Sequence, residues 1–254
     1  ELLYQVFGPQ DWVYYLLSQI FVIISFYYVF KLANKILKNS IFSLISVFLL
    51  EAIFFYNFTT PEFNVNVCQL PFWSVVVYYS WKIYHNKKIE LKDCILVGMF
   101  AAIGFLSKYL FLYLLISIDL LFIYYIFFKK TIKFDFKYLI ILEIFIVLLV
   151  PHLIWLHNND YITINYGLMR TGLEGSSFLD HIKYPVFFFS KQLGILIPFF
   201  VLILLLVKKL RFKINFKDKK LVFLVFINFL PIFLMLVTSI ITGSRIRTMW
   251  MTPF

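Results

Sequence analysis

Hydrophobic residues occur along this chain in long runs that short polar loops separate. Eight such runs cover roughly 11–30, 41–58, 69–83, 94–107, 109–128, 138–156, 184–207 and 221–242. A helix needs about 20 residues to cross the apolar core of a bilayer, because each residue advances it by about 1.5 Å. The pattern therefore predicts an all-α fold, a polytopic bundle of about eight transmembrane helices. The two short runs, 69–83 and 94–107, predict helices that are tilted, have ends in the membrane interface, or cross incompletely.

The fourth and fifth runs meet at Ser107 and Lys108 with almost no loop between them. One helix through both runs would be far longer than a bilayer requires, and it would leave the flanking lysine loops on opposite sides. The sequence therefore predicts a helical hairpin that has Lys108 at its corner.

The longest loop, 157–183, carries aromatic and aliphatic residues at intervals that suit a short helix lying in the membrane interface. Asp160 is the predicted N-cap of this helix, because a carboxylate there can accept a backbone N–H. Gly172 is its predicted end, because glycine readily adopts the left-handed conformation that closes many helices.

The loops between the runs alternate in composition. Lysine-rich loops hold 18 of the 24 lysine and arginine residues, and they cover 31–38, 82–92, 129–137 and 208–220. The other set has little lysine and consists of 59–66, the corner at Lys108, 157–183 and the end of the chain from Gly243. Positive residues favour the cytoplasmic side of a membrane, so the lysine loops predict one orientation for every run.

Composition agrees with a membrane protein. Apolar residues make up 62% of the chain, charged residues 15%, and the mean hydropathy is +0.88. A soluble domain has nearer a quarter charged residues. The net charge of +11 lies in clusters between apolar runs, which argues against a nucleic-acid partner. Cys68 and Cys94 fall on opposite sides of the membrane, so no disulfide is predicted.

The arginines are the first candidates for chemistry. The chain has only four, and Arg170, Arg245 and Arg247 lie in the lysine-poor loops. A guanidinium grips phosphate or carboxylate at two points, so these residues predict an anion site. Anchoring to lipid headgroups is the alternative. Lys108 is a candidate for the same phosphate, and snorkelling to the interface is its alternative.

Further polar residues of the lysine-poor loops are candidates for binding sugar or acceptor hydroxyls. They are Glu62, Asn64, Asn66, His157, Asn158 and Asp160. Glu62 is also a weak candidate for a catalytic base, and a solvated loop charge is the alternative. The His and Asp residues have no spacing typical of zinc ligands, so no metal site is predicted.

Within the runs, Glu51, Asp119 and Glu143 are expected to make hydrogen bonds between helices, because a carboxylate facing lipid is costly. A proton or ion path is the alternative. Gly98 and Gly104, with Ala101 and Ala102, predict close helix packing.

Three segments resemble glycosyltransferase family 39 and its bacterial lipid-sugar relatives of the GT-C type, a group that includes the dolichyl-phosphate-mannose protein mannosyltransferases. They are LVGMFAAIGFLSKYLFLYLL (96–115), VPHLIWLHNNDYITINYGLMR (150–170) and ITGSRIRTMWMTPF (241–254). The segment TPEFNVNVCQLPFW (60–73) stands where the family has a second outer loop.

The resemblance implies an inverting enzyme of the bacterial inner membrane with its active face in the periplasm. It would move a sugar from a polyprenyl-phosphate carrier to a lipid or envelope polysaccharide acceptor. Lys108, Arg170, Arg245 and Arg247 would then bind the donor phosphate. The resemblance implies no certain cofactor and leaves room for a divalent cation.

In this family the catalytic acid usually lies in the first outer loop, so it is expected upstream of Glu1. The chain, 1–254, is accordingly expected to be one transmembrane domain of a longer protein. The alternative function is a transporter or flippase for a lipid-linked or anionic substrate. Such proteins are typically built from internal repeats with broken helices, and the sequence has no clear repeat.

Overall fold

The computed structural model describes residues 2–86, 88–172, 177–206 and 215–252, and every regular element in these ranges is helical. The helices are α1 (Leu2–Phe7), α2 (Asp11–Leu37), α3 (Ser40–Glu51), α4 (Phe54–Asn57), α5 (Val65–His85), α6 (Leu91–Ser107), α7 (Leu112–Ile123), α8 (Lys137–Asn158), α9 (Ile162–Thr171), α10 (Asp180–Ile195), α11 (Ile197–Leu206) and α12 (Lys219–Thr242). Short turns of 3₁₀ helix cover Tyr109–Phe111 and Thr248–Met251, and a π-helical turn covers Tyr124–Phe128. The predicted all-α fold is confirmed.

Five helical stretches in the described ranges are long and apolar enough to cross a membrane. They are Asp11–Leu37, Tyr109–Phe128, Lys137–Asn158, Asp180–Leu206 and Lys219–Thr242. Each coincides with one of the eight predicted runs, so the polytopic architecture is confirmed. The chain is a multi-pass membrane protein.

The other three runs differ from the simple expectation of one crossing each. Run 41–58 is broken, because α3 has only 12 residues and ends at Glu51 before the four-residue α4. Run 94–107 forms α6 of 17 residues, and run 69–83 lies inside the 21-residue α5. Most of α5 is buried by protein.

The predicted hairpin corner is confirmed. Helix α6 ends at Ser107, and Lys108 is extended, with φ of −164°, before the turn that leads into α7. Phe111 folds back over the end of α6, where a Cβ on Gly104 would lie 2.5 Å from its ring. Glycine at 104 therefore lets the corner close.

Helix α5 forms the centre of the bundle and packs against α2 and α6, and α6 packs in turn against α8. The α6–α8 contact is close, because a Cβ on Gly98 would lie 2.8 Å from the carbonyl oxygen of Ile141. Nearer the end of α5, the rings of Trp81 and Phe223 meet edge to face at 4.9 Å. The interpretation of the small residues as packing positions is confirmed.

The prediction for the three intramembrane acids is wrong. In the described part of the chain, the carboxylates of Glu51, Asp119 and Glu143 make no hydrogen bond or ion pair, and all three residues are exposed. Glu51 is the last residue of α3, so it lies at a helix end instead of mid-crossing. Asp119 lines an apolar cavity between α7 and α8. Cys68 and Cys94 are free, as predicted.

The long loop contains the predicted short helix, α9, and Gly172 ends it with φ of 67°. Asp160 is not its N-cap, and that prediction is wrong. The backbone N–H of Tyr161 instead bonds the carbonyl of Leu156 at 2.9 Å, so the chain wraps around the end of α8. This wrap holds Asp160 and Tyr161 in the left-handed conformation, which is incompatible with the extended N-cap geometry.

The two kinds of loop gather in two separate groups. The lysine loops meet where Lys220 donates to the carbonyl of Ile36 and where Lys88, Lys133 and Lys219 line one cavity. We call this group, 31–38, 82–92, 129–137 and 215–220, the lysine face. The lysine-poor loops meet around Lys108, and we call 59–66, 107–109, 157–172 and 243–252 the arginine face. Residues 208–214 and 173–176 of the predicted loops lie outside the described residues.

Candidate functional site

The arginine face is built by joining the end of α9 to the segment that follows α12. Helix α12 ends at Gly243, where φ is 66°, and the carbonyl of buried Ser244 accepts a hydrogen bond from Ser239 Oγ at 2.7 Å. The next residue, Arg245, donates its backbone N–H to the carbonyl of Thr171 at 2.8 Å. Segments that are more than 70 residues apart in sequence thus present their arginines at one place.

These segments and α10 enclose a cavity of about 630 Å³, lined by Arg170, Arg245, Arg247 and Lys191. The three arginines singled out from the sequence therefore lie around one cavity. No carboxylate is found among the described residues that line it. The cavity accordingly has a local excess of positive charge.

Lys191 was not among the predicted site residues. It lies in the middle of the 184–207 run, where lysine is expensive unless it faces a cavity or a partner. That isolated charge inside an apolar run is the feature from which it could have been predicted. Its Nζ lies 4.3 Å from the ring centroid of Phe187, and it also lines a second, more apolar cavity beside Phe54 and Pro198.

The cations of this cavity have few protein partners. Arg170 Nη1 donates to the hydroxyl of Tyr166 at 2.8 Å, and its guanidinium lies 5.3 Å from that ring. Within the described ranges, no ion pair involves Arg170, Arg245, Arg247 or Lys191. Guanidinium groups that lack a carboxylate partner keep their paired N–H donors available for an oxyanion.

Lys108 has a different environment at the corner between α6 and α7. Its Nζ donates to Asn66 Oδ1, at the start of α5, and lies 6.0 Å from the ring centroid of Trp250. Burial away from water lowers the pKa of Lys108 to about 7, because the charged ammonium loses hydration. Two predicted site residues, Lys108 and Asn66, are therefore in direct contact, and Trp250 links them to the segment that carries Arg247.

Tyr109 connects this corner to the rest of the arginine face. Its hydroxyl lies 2.7 Å from His152 Nε2 on α8 and 2.7 Å from Thr163 Oγ1 on α9. The ring of His152 also stacks on that of Trp155. Through these contacts the helix that carries Arg170 is fixed relative to Lys108. No sequence feature indicated this role for Tyr109.

The remaining predicted residues are more dispersed. Asn64 caps α5, because its side-chain oxygen accepts hydrogen bonds from the backbone N–H groups of Asn66 and Val67. The carboxylate of Glu62 is exposed in the preceding loop. His157, Asn158 and Asp160 are exposed at the α8–α9 junction, where His157 Nδ1 lies 3.3 Å from the hydroxyl of Tyr161. Among the described residues, Asn66 is the one of the six predicted sugar or acceptor ligands whose side chain hydrogen-bonds a predicted phosphate ligand, Lys108.

Metal ligands are not assembled in the part of the chain that the structure describes. No three His, Cys, Asp or Glu side chains come together there as a candidate site.

Comparison with known families gives one match. Residues 1–155, more than half of the chain, match the family described as dolichyl-phosphate-mannose-protein mannosyltransferase. The chain belongs to this family. Its membership agrees with the resemblance seen in the sequence and implies a membrane glycosyltransferase that uses a polyprenyl-phosphate sugar. No curated protein and no solved structure matches the chain significantly.

The matched range and the cationic cavity overlap only in part. Residues 1–155 include α1 to α7 and most of α8, and with them Glu62, Asn66 and Lys108. Arg170, Lys191, Arg245 and Arg247 follow the matched range in sequence. The family match thus supports the fold and the reaction class, and the cavity is a feature of this chain's own geometry.

Proposed function

We propose that this mannosyltransferase-family chain binds the phosphate of a polyprenyl-phosphate sugar at the arginine face. The main support for the proposal is the cavity that Arg170, Arg245 and Arg247 line together with Lys191. None of the described residues that line this cavity is a carboxylate. A phosphodiester that remains in the bilayer while its sugar reacts needs fixed cations near the membrane surface. Lys108, beside Trp250, is the further phosphate ligand of this proposal.

The reaction assigned here is transfer of the sugar to a hydroxyl of a lipid or envelope polysaccharide acceptor, with inversion at the anomeric carbon. The acceptor oxygen attacks that carbon, the bond to the phosphate oxygen breaks, and a base takes the acceptor proton. The negative charge that develops on the departing phosphate is stabilised by the arginines. Glu62, exposed in the loop before α5, is the candidate base within this chain.

Asn66 is the best placed of the proposed sugar ligands, since its side chain already contacts Lys108. Asn64, His157, Asn158 and Asp160 remain proposed contacts of the acceptor side, because they lie in the same group of loops. The bacterial inner membrane, with the arginine face in the periplasm, is the proposed location. It rests on the lysine loops, which favour the cytoplasm.

The test is a transfer assay on the purified protein in liposomes, with a radiolabelled polyprenyl-phosphate mannose and a panel of lipid and glycan acceptors. We expect label to move to an acceptor and the free polyprenyl phosphate to accumulate in equal amount. Movement of intact donor between leaflets without transfer would instead support the flippase alternative. An Arg245→Gln and Arg247→Gln protein serves as the control for binding of donor phosphate.

A further inference from the structure

Two cavities near the lysine face lie next to each other. The first, about 520 Å³, lies between α7 and α8, and its described lining is apolar apart from Ser80, Asp119 and Tyr138. The second, about 530 Å³, opens at the lysine face and is lined by Lys88, Lys133 and Lys219. Both cavities share Ile83, Phe134 and Tyr138 as lining residues. The apolar cavity therefore adjoins a cationic one, which we call the mouth, and we refer to the two cavities together as the path.

Two hydroxyl groups along this path have no partner in the described structure. Ser80 is 1% exposed and lines the apolar cavity, and its Oγ makes no hydrogen bond. The hydroxyl of Tyr138, where the two cavities join, is also buried and unpaired. Native proteins rarely leave buried hydroxyls unpaired, so these two groups indicate a polar ligand atom inside the path.

The charges at the mouth favour an anion. Asp135 is the one carboxylate among the described lining residues, and it is already engaged by the backbone N–H of Lys137 at 3.0 Å. The Nζ of Lys137 also lies 3.9 Å from it. Within the described ranges, the ammonium groups of Lys88 and Lys133 have no hydrogen bond or ion pair, and that of Lys219 makes a cation–π contact with Tyr125. The mouth keeps an excess of positive charge.

We propose that this path, the two joined cavities, binds an anionic phospholipid from the leaflet at the lysine face. The phosphate lies between Lys133 and Lys219, and one acyl chain occupies the apolar cavity along α7. The glycerol and ester oxygens then pass Tyr138, whose hydroxyl gains a partner. Basic pockets between transmembrane helices are known to recognise anionic lipid headgroups in this way. The site lies on the opposite group of loops from the arginine cavity and is separate from sugar transfer.

The test counts lipids bound to the whole chain by native mass spectrometry in detergent, with phosphatidylglycerol and phosphatidylcholine as probes. We expect phosphatidylglycerol to bind more tightly.

We expect Lys133→Gln with Lys219→Gln to weaken that binding on the order of 30-fold, from the attraction of two lysines to an anionic headgroup. Lys35→Gln with Lys92→Gln is the control, because it removes the same charge from exposed lysines of the same face that line neither cavity. Equal losses in the two double variants would overturn the proposal.

A second pair of variants tests the acyl chain. Leu142 lines the apolar cavity, so Leu142→Trp should fill the space and weaken phosphatidylglycerol binding at least as much as the lysine variant. Leu153→Trp, on the same helix but outside the cavity, should have no effect. If Leu142→Trp leaves binding intact, or if glycerol 3-phosphate competes as well as the lipid does, the site holds only a soluble phosphate and the proposal fails.

Discussion

The arginine face and the lysine face carry charge of the same sign, but the two use it differently. On the lysine face, several cations already have protein partners. Lys82 pairs with the buried carboxylate of Asp93 at 2.7 Å, and Lys220 donates to the carbonyl of Ile36. Around the arginine cavity, Arg245 and Arg247 have no carboxylate partner within the described residues. Charges that serve the fold are satisfied within the protein, whereas charges that serve a ligand are left unsatisfied until it binds.

The largest effect is expected from the double substitution of Arg245 and Arg247 by Gln. Each charge-assisted hydrogen bond to phosphate contributes about 1.5–3 kcal/mol, so we expect sugar transfer to fall roughly 100-fold or more. The measurement is the initial rate of sugar transfer by folded protein at a donor concentration below saturation. Both side chains are exposed, so the protein should fold normally.

The matched control is the double substitution of Lys35 and Lys92 by Gln on the lysine face. It removes the same formal charge from exposed positions, and transfer should change by less than about twofold, because surface charges act weakly at a distance in salt. Similar losses in both double variants would mean that net charge, and not the cavity, governs activity.

A smaller, pH-dependent effect is expected at Lys108. Burial lowers its pKa to about 7, so the ammonium that attracts phosphate is lost as the pH rises through that value. Between pH 6 and pH 8 the protonated fraction falls about tenfold, and the KM for donor should rise by up to about the same factor. Lys108→Arg keeps its charge over this range, and its donor KM should stay nearly flat. An unchanged slope in Lys108→Arg would assign the pH dependence to another group.

Substitution of Tyr109 tests whether the corner at Lys108 and helix α9, which carries Arg170, act together in sugar transfer. The Tyr109 hydroxyl contacts both His152 and Thr163, so Tyr109→Phe removes one hydrogen bond to α8 and one to α9. We expect kcat over KM to fall about fivefold, at about 1 kcal/mol for the one net hydrogen bond that holds α9. A spin-label distance between α9 and α6 should broaden in parallel.

Tyr113→Phe is the control for Tyr109. This hydroxyl also bonds a threonine, Thr238 at 3.0 Å, but it links α7 to α12 and leaves α9 alone. We expect little change in kcat or in the α9 distance distribution. If the two tyrosine variants behave alike, Tyr109 serves only the stability of the bundle.

The comparison also explains what the sequence could predict. The alternation of loops has a strong physical cause, the positive-inside preference, and it correctly separated Arg170, Arg245 and Arg247 from the lysine loops. The corner at Lys108 followed from helix length and from the sides of the flanking lysine loops. Lys191 was missed because the run around it was treated as uniformly apolar, although a lone lysine there was visible.

Other features depend on contacts between distant segments, which no local pattern encodes. The N-cap prediction for Asp160 failed because the backbone of Tyr161 bonds Leu156 and forces a left-handed turn. The break of run 41–58 after Glu51 likewise escaped a count of apolar residues. The contact of Tyr109 with His152 and Thr163 joins positions more than 40 residues apart. Such pairings appear only once the helices are packed.

The smallest effect on sugar transfer is expected from substitution of Lys82 on the lysine face. The same substitution should have a large effect on the stability of the fold. The Asp93 side chain is 2% exposed and that of Lys82 is 24% exposed, so Lys82→Met leaves a buried carboxylate without its partner. Loss of one member of a buried pair costs about 3 kcal/mol, which thermal unfolding in detergent would detect. Adding Asp93→Asn should restore most of that stability, because no buried charge then remains. Transfer per folded molecule should stay near the unsubstituted value in both variants. A catalytic defect that the second substitution does not rescue would show that the lysine face takes part in transfer.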